Sequence, residues 1–198
     1  MPFTEQKFNI PTIEGISQKT IDEHLKLYSG YVKNSNLILE KIAEYSTDLE
    51  KNAYAISEIQ RRFSFEFNGM RNHEYYFEQL EGGTDRGNAE SSLSKQMEKD
   101  FGSSTIWFEK FKALCLTRGI GWAILYYDKK SDRLLNAWVD EQHLGQLTGL
   151  NFIFGIDMWE HSYMIDYIPG DKKKYVEAYL TATNQTVIEK RFDDAKLS

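Results

Sequence analysis

The residues best suited to chemistry are one aspartate and three histidines that lie far apart in the chain. Asp157 ends an apolar run, where burying a carboxylate is costly unless it is paired or bound to a metal. His161 follows about one helical turn later. His24 and His73 each share a helix face with apolar residues, which would orient the imidazole and limit water. Three imidazoles and one carboxylate favour iron, manganese or zinc over calcium or magnesium.

Each of these residues also has a structural interpretation. A histidine on an apolar helix face is more often a hydrogen-bonded core residue than a ligand. Asp157 alone would be interpreted as the N-cap of a helix that the sequence predicts from about Met158. The combination of all four residues on separate elements is what favours a metal site. The single cysteine, Cys115, excludes disulfide frameworks and CxxC-type sites, so any metal needs histidine or carboxylate ligands.

The charge and hydropathy of the chain limit the classes of partner. The 198 residues carry 24 lysines and arginines and 30 acidic residues, and this formal charge of −6 argues against a sequence-independent nucleic-acid binder. No apolar run approaches the roughly 18 residues of a transmembrane helix, and the first residues lack the layout of a signal peptide. We therefore expect a cytoplasmic protein without nucleic-acid or membrane partners. A small anionic substrate is compatible with this charge if a local basic funnel guides it.

The elements that must hold these residues form two predicted parts. Residues 17–81 carry apolar positions at helical spacing, which predicts a long helical hairpin with Ser17 or Thr20 as its N-cap. A glycine-rich segment at 81–87 would end the hairpin. This segment lacks the Gly-Lys-Ser/Thr sequence of a phosphate loop, so it is interpreted as a turn. We place an N-terminal α-hairpin domain at 1–84 and a C-terminal α/β domain at 85–198.

The second part has a mixed pattern. Two short helices and three strands are predicted, at 92–101 and 105–116 and at 121–127, 134–139 and 151–156. A helix from about Met158 and a closing helix at 174–190 complete the chain. The predicted fold class is α+β, an N-terminal helical hairpin followed by a C-terminal domain with a small three-stranded antiparallel sheet flanked by helices.

Several motifs resemble those of one family. Residues 157–163 (Asp-Met-Trp-Glu-His-Ser-Tyr) resemble the signature of the iron/manganese superoxide dismutases, usually written D-x-W-E-H-A-x-Y. Residues 72–76 (Asn-His-Glu-Tyr-Tyr) resemble that family's N-H-x-x-Y motif, and residues 24–36 resemble its first-helix motif. The Gly-Trp pair at 121–122 and the segment 174–179 resemble its first strand and its closing helix. The similarity covers essentially the whole chain in the same order.

The resemblance implies an enzyme and a set of roles. A superoxide dismutase converts two superoxide ions and two protons into dioxygen and hydrogen peroxide, at a metal that alternates between its trivalent and divalent states. The implied ligands of one manganese or iron ion per subunit are His24, His73, Asp157 and His161. The implied surroundings are a gateway tyrosine and an aromatic wall, formed by Tyr31, Trp122 and Trp159, with Tyr76 behind them. Glu160 and Tyr163 would lie at a homodimer interface, where Glu160 pairs with the partner subunit's His161.

Two alternatives stay open beside these roles. The interval from His24 to Tyr31 is shorter than in the family, so Tyr28 is the alternative gateway. The alternative function is a helical assembly or binding protein with a structural, redox-inert metal such as zinc, because zinc accepts the same ligands and has no redox chemistry.

The resemblance also bears on which metal is used. Family members place a Gln, sometimes a His, against the metal-bound solvent from one of two positions. Gly69 occupies the first position, so Gln142 must supply the group from the second, or His143 after a one-residue slip. A Gln from this side, together with Gly155 two residues before Asp157, favours manganese. Iron and dual use are the alternatives.

Overall fold

The first part of the chain is an antiparallel helical hairpin. The computed structural model, which describes residues 1–197, contains helix α1 at Gln18–Tyr45 and helix α2 at Leu49–Glu78. Ser17 caps α1 because its side chain accepts a hydrogen bond from the Thr20 N–H, and Asp48 caps α2 in the same way. Of the two predicted caps for the hairpin, Ser17 is the one used.

Only one half of the hairpin contributes to the core. The buried apolar positions of α1 recur at helical spacing, and those of α2 begin at Phe65. At the far end of the hairpin, Leu49 is 63% exposed and Tyr54 is 81% exposed. The spacing of apolar residues in this part of the hairpin correctly predicts a helix, but these residues are not buried. Neither these helices nor any other in residues 1–197 is apolar over a length that could cross a bilayer.

The second part contains two short helices and a three-stranded sheet. Helices α3 and α4 span Ser92–Phe101 and Ser104–Cys115, and strands β1, β2 and β3 span Gly121–Asp128, Arg133–Asp140 and Asn151–Asp157. The strand order is β2-β1-β3, and both pairings are antiparallel. The predicted α+β fold, with a helical hairpin and a three-stranded antiparallel sheet, is confirmed.

The register of the sheet prepares the site. Strand β1 lies in the middle and is buried along nearly its whole length. Its residue Trp122 is paired with Val139 on one side and with Asp157 on the other. Trp122 therefore lies next to Asp157, the last residue of β3, after which the chain leaves the sheet.

The segment after β3 differs from its prediction. A helix from Met158 was expected, but the chain makes only a short 3₁₀ turn at Glu160–Ser162. The Asp157 side chain accepts the Trp159 N–H at 2.7 Å, and the Ser162 hydroxyl lies 3.0 Å from the Asp157 carbonyl oxygen. Such side-chain bonds to the backbone compete with the bonds of a regular helix, and the prediction of a helix here is wrong.

The predicted closing helix is divided into two. Helix α5 spans Lys172–Ala182 and helix α6 spans Gln185–Leu197. Between them, the Asn184 N–H donates to the Gln79 carbonyl at 2.7 Å and the Asn184 side chain donates to the Glu81 carbonyl at 2.9 Å. Because the end of α2 occupies these donors, a continuous helix cannot form, and the expectation of one helix at 174–190 is wrong.

A largely buried arginine joins the last helix to both parts of the chain. The guanidinium of Arg191, on α6, lies 2.8 Å from the Glu78 carboxylate at the end of α2. It also donates to the Gln79 side chain at 3.1 Å and to the Ile153 carbonyl of β3 at 3.0 Å. Its side chain is only 13% exposed. One side chain therefore satisfies acceptors on α2 and β3 together.

We expect the substitution Arg191→Ala to lower the free energy of unfolding by roughly 3 kcal/mol, because it leaves partly buried acceptors without their charged partner. Denaturant unfolding followed by circular dichroism measures the change. Lys190→Ala is the matched control, since the neighbouring Lys190–Asp194 pair is exposed and contributes little. Equal losses of stability in the two variants would contradict the role given to Arg191.

Candidate metal centre

Four side chains from four elements meet at one point in the core. The Nε2 atoms of His24, His73 and His161 lie 3.1, 3.4 and 3.0 Å from Asp157 Oδ2. The four donor atoms all lie within 4.8 Å of one another. The side chains of His24, His73 and Asp157 have no exposed surface, while that of His161 is 22% exposed. The structure thus brings together all four predicted ligands and leaves one edge of the group near solvent.

Local hydrogen bonds set the direction of these donors. His73 Nδ1 lies 2.6 Å from the Gly69 carbonyl one turn earlier on α2, so this nitrogen carries the proton and Nε2 faces the cluster. The two oxygens of the Asp157 carboxylate have different partners. Oδ1 accepts a hydrogen bond from the Trp159 N–H at 2.7 Å, and Oδ2 faces the imidazoles. One oxygen of Asp157 therefore bonds to the backbone of the turn that follows β3, although no regular helix begins there, and the other oxygen faces the three imidazoles.

The electrostatics keep the cluster in the protonation state that a metal needs. Burial alone would raise the pKa of the Asp157 carboxyl, but the electrostatic interactions and hydrogen bonds with the rings of His161 and His24 outweigh it and lower that pKa below its ordinary value. Burial lowers the pKa of His24, and burial together with the nearby His24 ring lowers that of His73. The carboxylate is thus ionised, and these two imidazoles are neutral at physiological pH.

The cluster fits a metal ion by two observations. Donor atoms that are bound to one ion at about 2 Å lie roughly 3–4 Å from one another, and the three imidazole nitrogens lie at such distances from Asp157 Oδ2. In addition, His73 Nε2 is fully buried and has no hydrogen-bond partner among residues 1–197, although it points at the other donors. Such an orphaned atom is costly in an apolar wall unless a ligand completes it. Three nitrogens and one carboxylate oxygen suit iron, manganese or zinc.

Aromatic rings enclose the cluster on most sides. Trp122 meets the His73 ring edge to face at 5.1 Å between centroids, and Trp159 is stacked on His161 at 5.7 Å. The ring centroid of Tyr76 lies 4.9 Å from that of His24. These rings exclude water from the buried face of the cluster.

Tyr31 lies beside His73 and is linked to Trp122 by a chain of hydrogen bonds through Gln142. The Trp122 indole N–H donates to Gln142 Oε1 at 2.8 Å, and Gln142 Nε2 donates to the Tyr31 hydroxyl at 3.1 Å. The Tyr31 ring lies 5.1 Å from the His73 ring. Burial, followed by the charges of Asp157 and Glu66, raises the pKa of Tyr31, so its hydroxyl stays protonated. A polar, protonated hydroxyl thus lies between the Gln142 amide and the region of the cluster.

The alternatives for these two positions lie elsewhere. The Tyr28 hydroxyl accepts the Gln6 N–H at 2.9 Å and donates to the Glu74 carboxylate at 3.2 Å, so it serves the N-terminal segment. His143 packs against Phe65 at 5.7 Å, and its buried Nδ1 has no hydrogen-bond partner among the described residues. Neither side chain belongs to the chain of Trp122, Gln142 and Tyr31.

Two glycines permit close contacts near the cluster. A Cβ atom on Gly69 would lie 2.5 Å from the Tyr31 ring, so the ring can reach its position only because residue 69 has no side chain. A Cβ atom on Gly155 would lie 2.3 Å from the Phe152 ring. The backbone of Gly155 is paired with the Gln79 amide at 2.8 and 3.0 Å, which anchors β3 to α2 two residues before Asp157.

Of the two residues predicted for a subunit interface, one is exposed and the other is buried. Glu160 is exposed beside the partly exposed His161, whereas Tyr163 is 5% exposed in this single chain and packs on Tyr175 at 5.6 Å. A carboxylate at Glu160 is thus accessible to another molecule next to a cluster residue.

Two residues that support the site had no role assigned from the sequence. Tyr175 donates to the Asp157 carbonyl at 2.9 Å and lies 3.2 Å from the Tyr76 hydroxyl. Phe65 packs against Tyr31 at 6.0 Å and Trp159 at 6.4 Å. Tyr175 lies in the segment 174–179, whose resemblance to the family's closing helix could have indicated it. Only helical spacing from His73 could have indicated Phe65.

Comparison with protein families gives two consecutive matches. Residues 11–81 match the family model described as "Iron/manganese superoxide dismutases, alpha-hairpin domain". Residues 89–191 match the one described as "Iron/manganese superoxide dismutases, C-terminal domain". The matched ranges contain all four residues of the cluster.

Individual relatives agree over most of their length. A superoxide dismutase designated Fe from Aquifex aeolicus is 32% identical over 188 residues, covering 92% of this chain and 87% of the relative. A second superoxide dismutase designated Fe, from Cupriavidus metallidurans, is 34% identical over 85% of this chain and 84% of the relative. One designated Mn/Fe from Aeropyrum pernix is 32% identical and covers 87% and 80%. With the same domain order and four converging donor side chains, this chain belongs to the iron/manganese superoxide dismutase family.

Proposed function

We propose that this protein is a superoxide dismutase, which converts two superoxide ions and two protons into dioxygen and hydrogen peroxide. The observation that carries the proposal is the convergence of three imidazole nitrogens on one buried oxygen of Asp157, at 3.0–3.4 Å. A bound manganese or iron ion would supply one-electron redox chemistry, which no side chain in this cluster supplies.

The ligand residues would favour an anionic substrate. Neutral imidazoles add no charge, and Asp157 contributes a single negative charge, so the four residues do not cancel the charge of a divalent or trivalent ion. The remaining positive charge attracts superoxide. The rings of Trp122 and Trp159 pack directly on the imidazoles of His73 and His161, which suits a small substrate better than a large one.

Tyr31 and Gln142 would manage the proton that accompanies electron transfer. The Tyr31 hydroxyl holds a proton at physiological pH because its pKa is raised by burial and nearby carboxylates. Gln142 is oriented from one end by Trp122 and presents its amide N–H groups at the other. We assign to Tyr31 the gateway position and to Gln142 the amide that faces solvent bound at the metal. Hydrogen bonds to such solvent tune a metal's redox potential.

We propose manganese as the preferred metal, with one ion per subunit and iron as the alternative. Gly69 leaves no room for an amide from α2, because the Tyr31 ring fills that space. The amide comes instead from Gln142, the side that the family resemblance associates with manganese. Two of the relatives compared above are designated Fe and one Mn/Fe, so iron is the metal against which the preference must be tested.

We also propose a homodimer in which Glu160 pairs with the partner subunit's His161. The exposed position of Glu160 and the 22% exposure of His161 support this, since both can reach another subunit. Burial of Glu160 at such an interface would place a carboxylate next to a ligand imidazole and so strengthen the ligand.

Two further proposals concern the whole chain. The division into domains at 1–84 and 85–198 is supported by the two family matches, which end at residue 81 and resume at residue 89. A cytoplasmic location is supported by the free, buried thiol of Cys115, which suits a reducing compartment.

The substitution His161→Ala is expected to abolish both metal binding and superoxide removal, because it removes one of the four donor atoms. His143→Ala is the matched control and should keep the metal, since His143 lies outside the cluster. Metal content per chain is measured by inductively coupled plasma mass spectrometry and activity by superoxide decay. Full metal occupancy and activity in the His161 variant would contradict the assigned ligand set.

Expression in manganese-rich and in iron-rich medium tests the preferred metal. We expect the manganese-loaded protein to be the more active form, because Gln142 rather than residue 69 faces the metal-bound solvent. Activity is compared per bound metal ion. Activity with iron alone would overturn the preference for manganese and leave the proposed reaction intact.

The substitution Glu160→Ala is expected to weaken the dimer, because the hydrogen bond between the Glu160 carboxylate and the partner subunit's His161 loses its acceptor. Sedimentation equilibrium of the metal-loaded protein measures the dissociation constant. Glu177→Ala, at another exposed acidic position, serves as the control. A variant at residue 160 that dimerises as tightly as the wild type would exclude the proposed pairing.

A further inference from the structure

The position of Gln142 needs an explanation, because no regular element carries it. It lies at the tip of a short loop at 140–144, closed at its base by the Asp140 N–H to Leu144 carbonyl bond at 2.8 Å and the reverse bond at 3.1 Å. The preceding residue, Glu141, has a φ of 52°, a left-handed conformation that ends the strand geometry of β2. The last backbone bond toward the neighbouring strand is that of the Glu141 N–H to the Ile120 carbonyl at 3.2 Å, so the side-chain amide of Gln142 needs further contacts to fix its position.

Side chains hold this loop tip from the other side. Asn72 Nδ2 on α2 donates to the Gln142 carbonyl at 3.1 Å, and Gln146 Nε2 donates to the same oxygen at 3.3 Å. Gln146 Nε2 also lies 3.3 Å from Asn72 Oδ1, and the Tyr126 hydroxyl on β1 donates to Gln146 Oε1 at 2.9 Å. Asn72 and Gln142 are buried, at 2% and 0% exposure.

Each polar side-chain atom of Asn72, Gln142, Gln146 and Tyr126 has at least one hydrogen-bond partner. Gln146 uses both amide hydrogens, one toward Gln142 and one toward Asn72, and its oxygen accepts from Tyr126. Removing any one member leaves a buried polar atom without its partner, which costs more than the bond itself contributes. The group is thus rigid only while complete.

We infer that Gln146, braced by Tyr126, is a positioning residue that fixes the amide of Gln142 relative to the ligand His73. Asn72 precedes His73 on α2, so its bond to the Gln142 carbonyl ties the loop tip to the helix that carries a ligand. The consequence for the metal rests on the proposed function, but the positioning itself does not. Gln146 acts through Gln142 and touches neither the cluster nor Tyr31.

Hydrogen exchange of indole N–H groups in the metal-free protein tests the positioning. The Trp122 N–H is bonded to Gln142, while the Trp107 N–H is bonded to Asn136 at 3.0 Å and provides an internal control. In the Gln146→Leu variant, we expect the Trp122 N–H to exchange about tenfold faster and the Trp107 N–H to be unchanged.

Two further variants sharpen this test. Tyr126→Phe should accelerate exchange at Trp122 to a smaller extent, because it removes only the outer bond to Gln146. Gln60→Leu, the same substitution on an exposed part of α2, should change nothing. Unchanged exchange at Trp122 in Gln146→Leu, or an equal increase at Trp107, would overturn the inference.

The midpoint potential of the bound metal gives the second readout, through a double-mutant cycle. Gln146→Leu and Gln142→Ala should each shift the potential, and Gln146→Leu should add nothing in the Gln142→Ala background. Independent, additive shifts would overturn the claim that Gln146 acts through Gln142. If the metal-loaded wild-type protein does not remove superoxide, the proposed function is refuted. The exchange of the Trp122 N–H would still decide whether Gln146 positions Gln142.

Discussion

The rest of the structure depends on holding one ionised carboxylate, that of Asp157, entirely out of water. A buried charge is unfavourable unless neighbouring groups replace its hydration. The Trp159 N–H occupies one of its oxygens, and the other faces three imidazole nitrogens. This arrangement requires α1, α2, the end of β3 and the turn after it to meet at a single point. The fold can therefore be understood as a means of bringing those four elements together.

The residues that position the cluster also form the core. Tyr175 holds the Asp157 carbonyl from α5, and Gly69 both accepts from His73 and leaves space for the Tyr31 ring. The register of β1 against β3 sets Trp122 beside Asp157. Packing and chemistry are therefore coupled, because a change in one of these contacts moves either a donor atom of the cluster or the Tyr31 ring beside it. The exposed far half of the hairpin carries no such constraint.

The fold and the ligands could largely be predicted from the sequence, because periodic patterns and a spaced motif are local signals. The finer choices depended on contacts between distant segments. Tyr28 and Tyr31 lie on similar faces of α1, but the Gln6 backbone bonds to the Tyr28 hydroxyl, while Gly69 leaves space for the Tyr31 ring. Gln142 and His143 are neighbours in a loop whose conformation follows from a left-handed residue and from Asn72.

The most direct test of the account compares metals within one site. Metal-free protein would be loaded to equal occupancy with manganese, iron or zinc, and the decay of superoxide would be followed by stopped-flow absorbance. We predict many turnovers per ion with manganese or iron and none with zinc, because only the first two change oxidation state at this ligand set. Full occupancy by manganese and by iron without catalytic decay in either case would contradict the account and favour a structural metal.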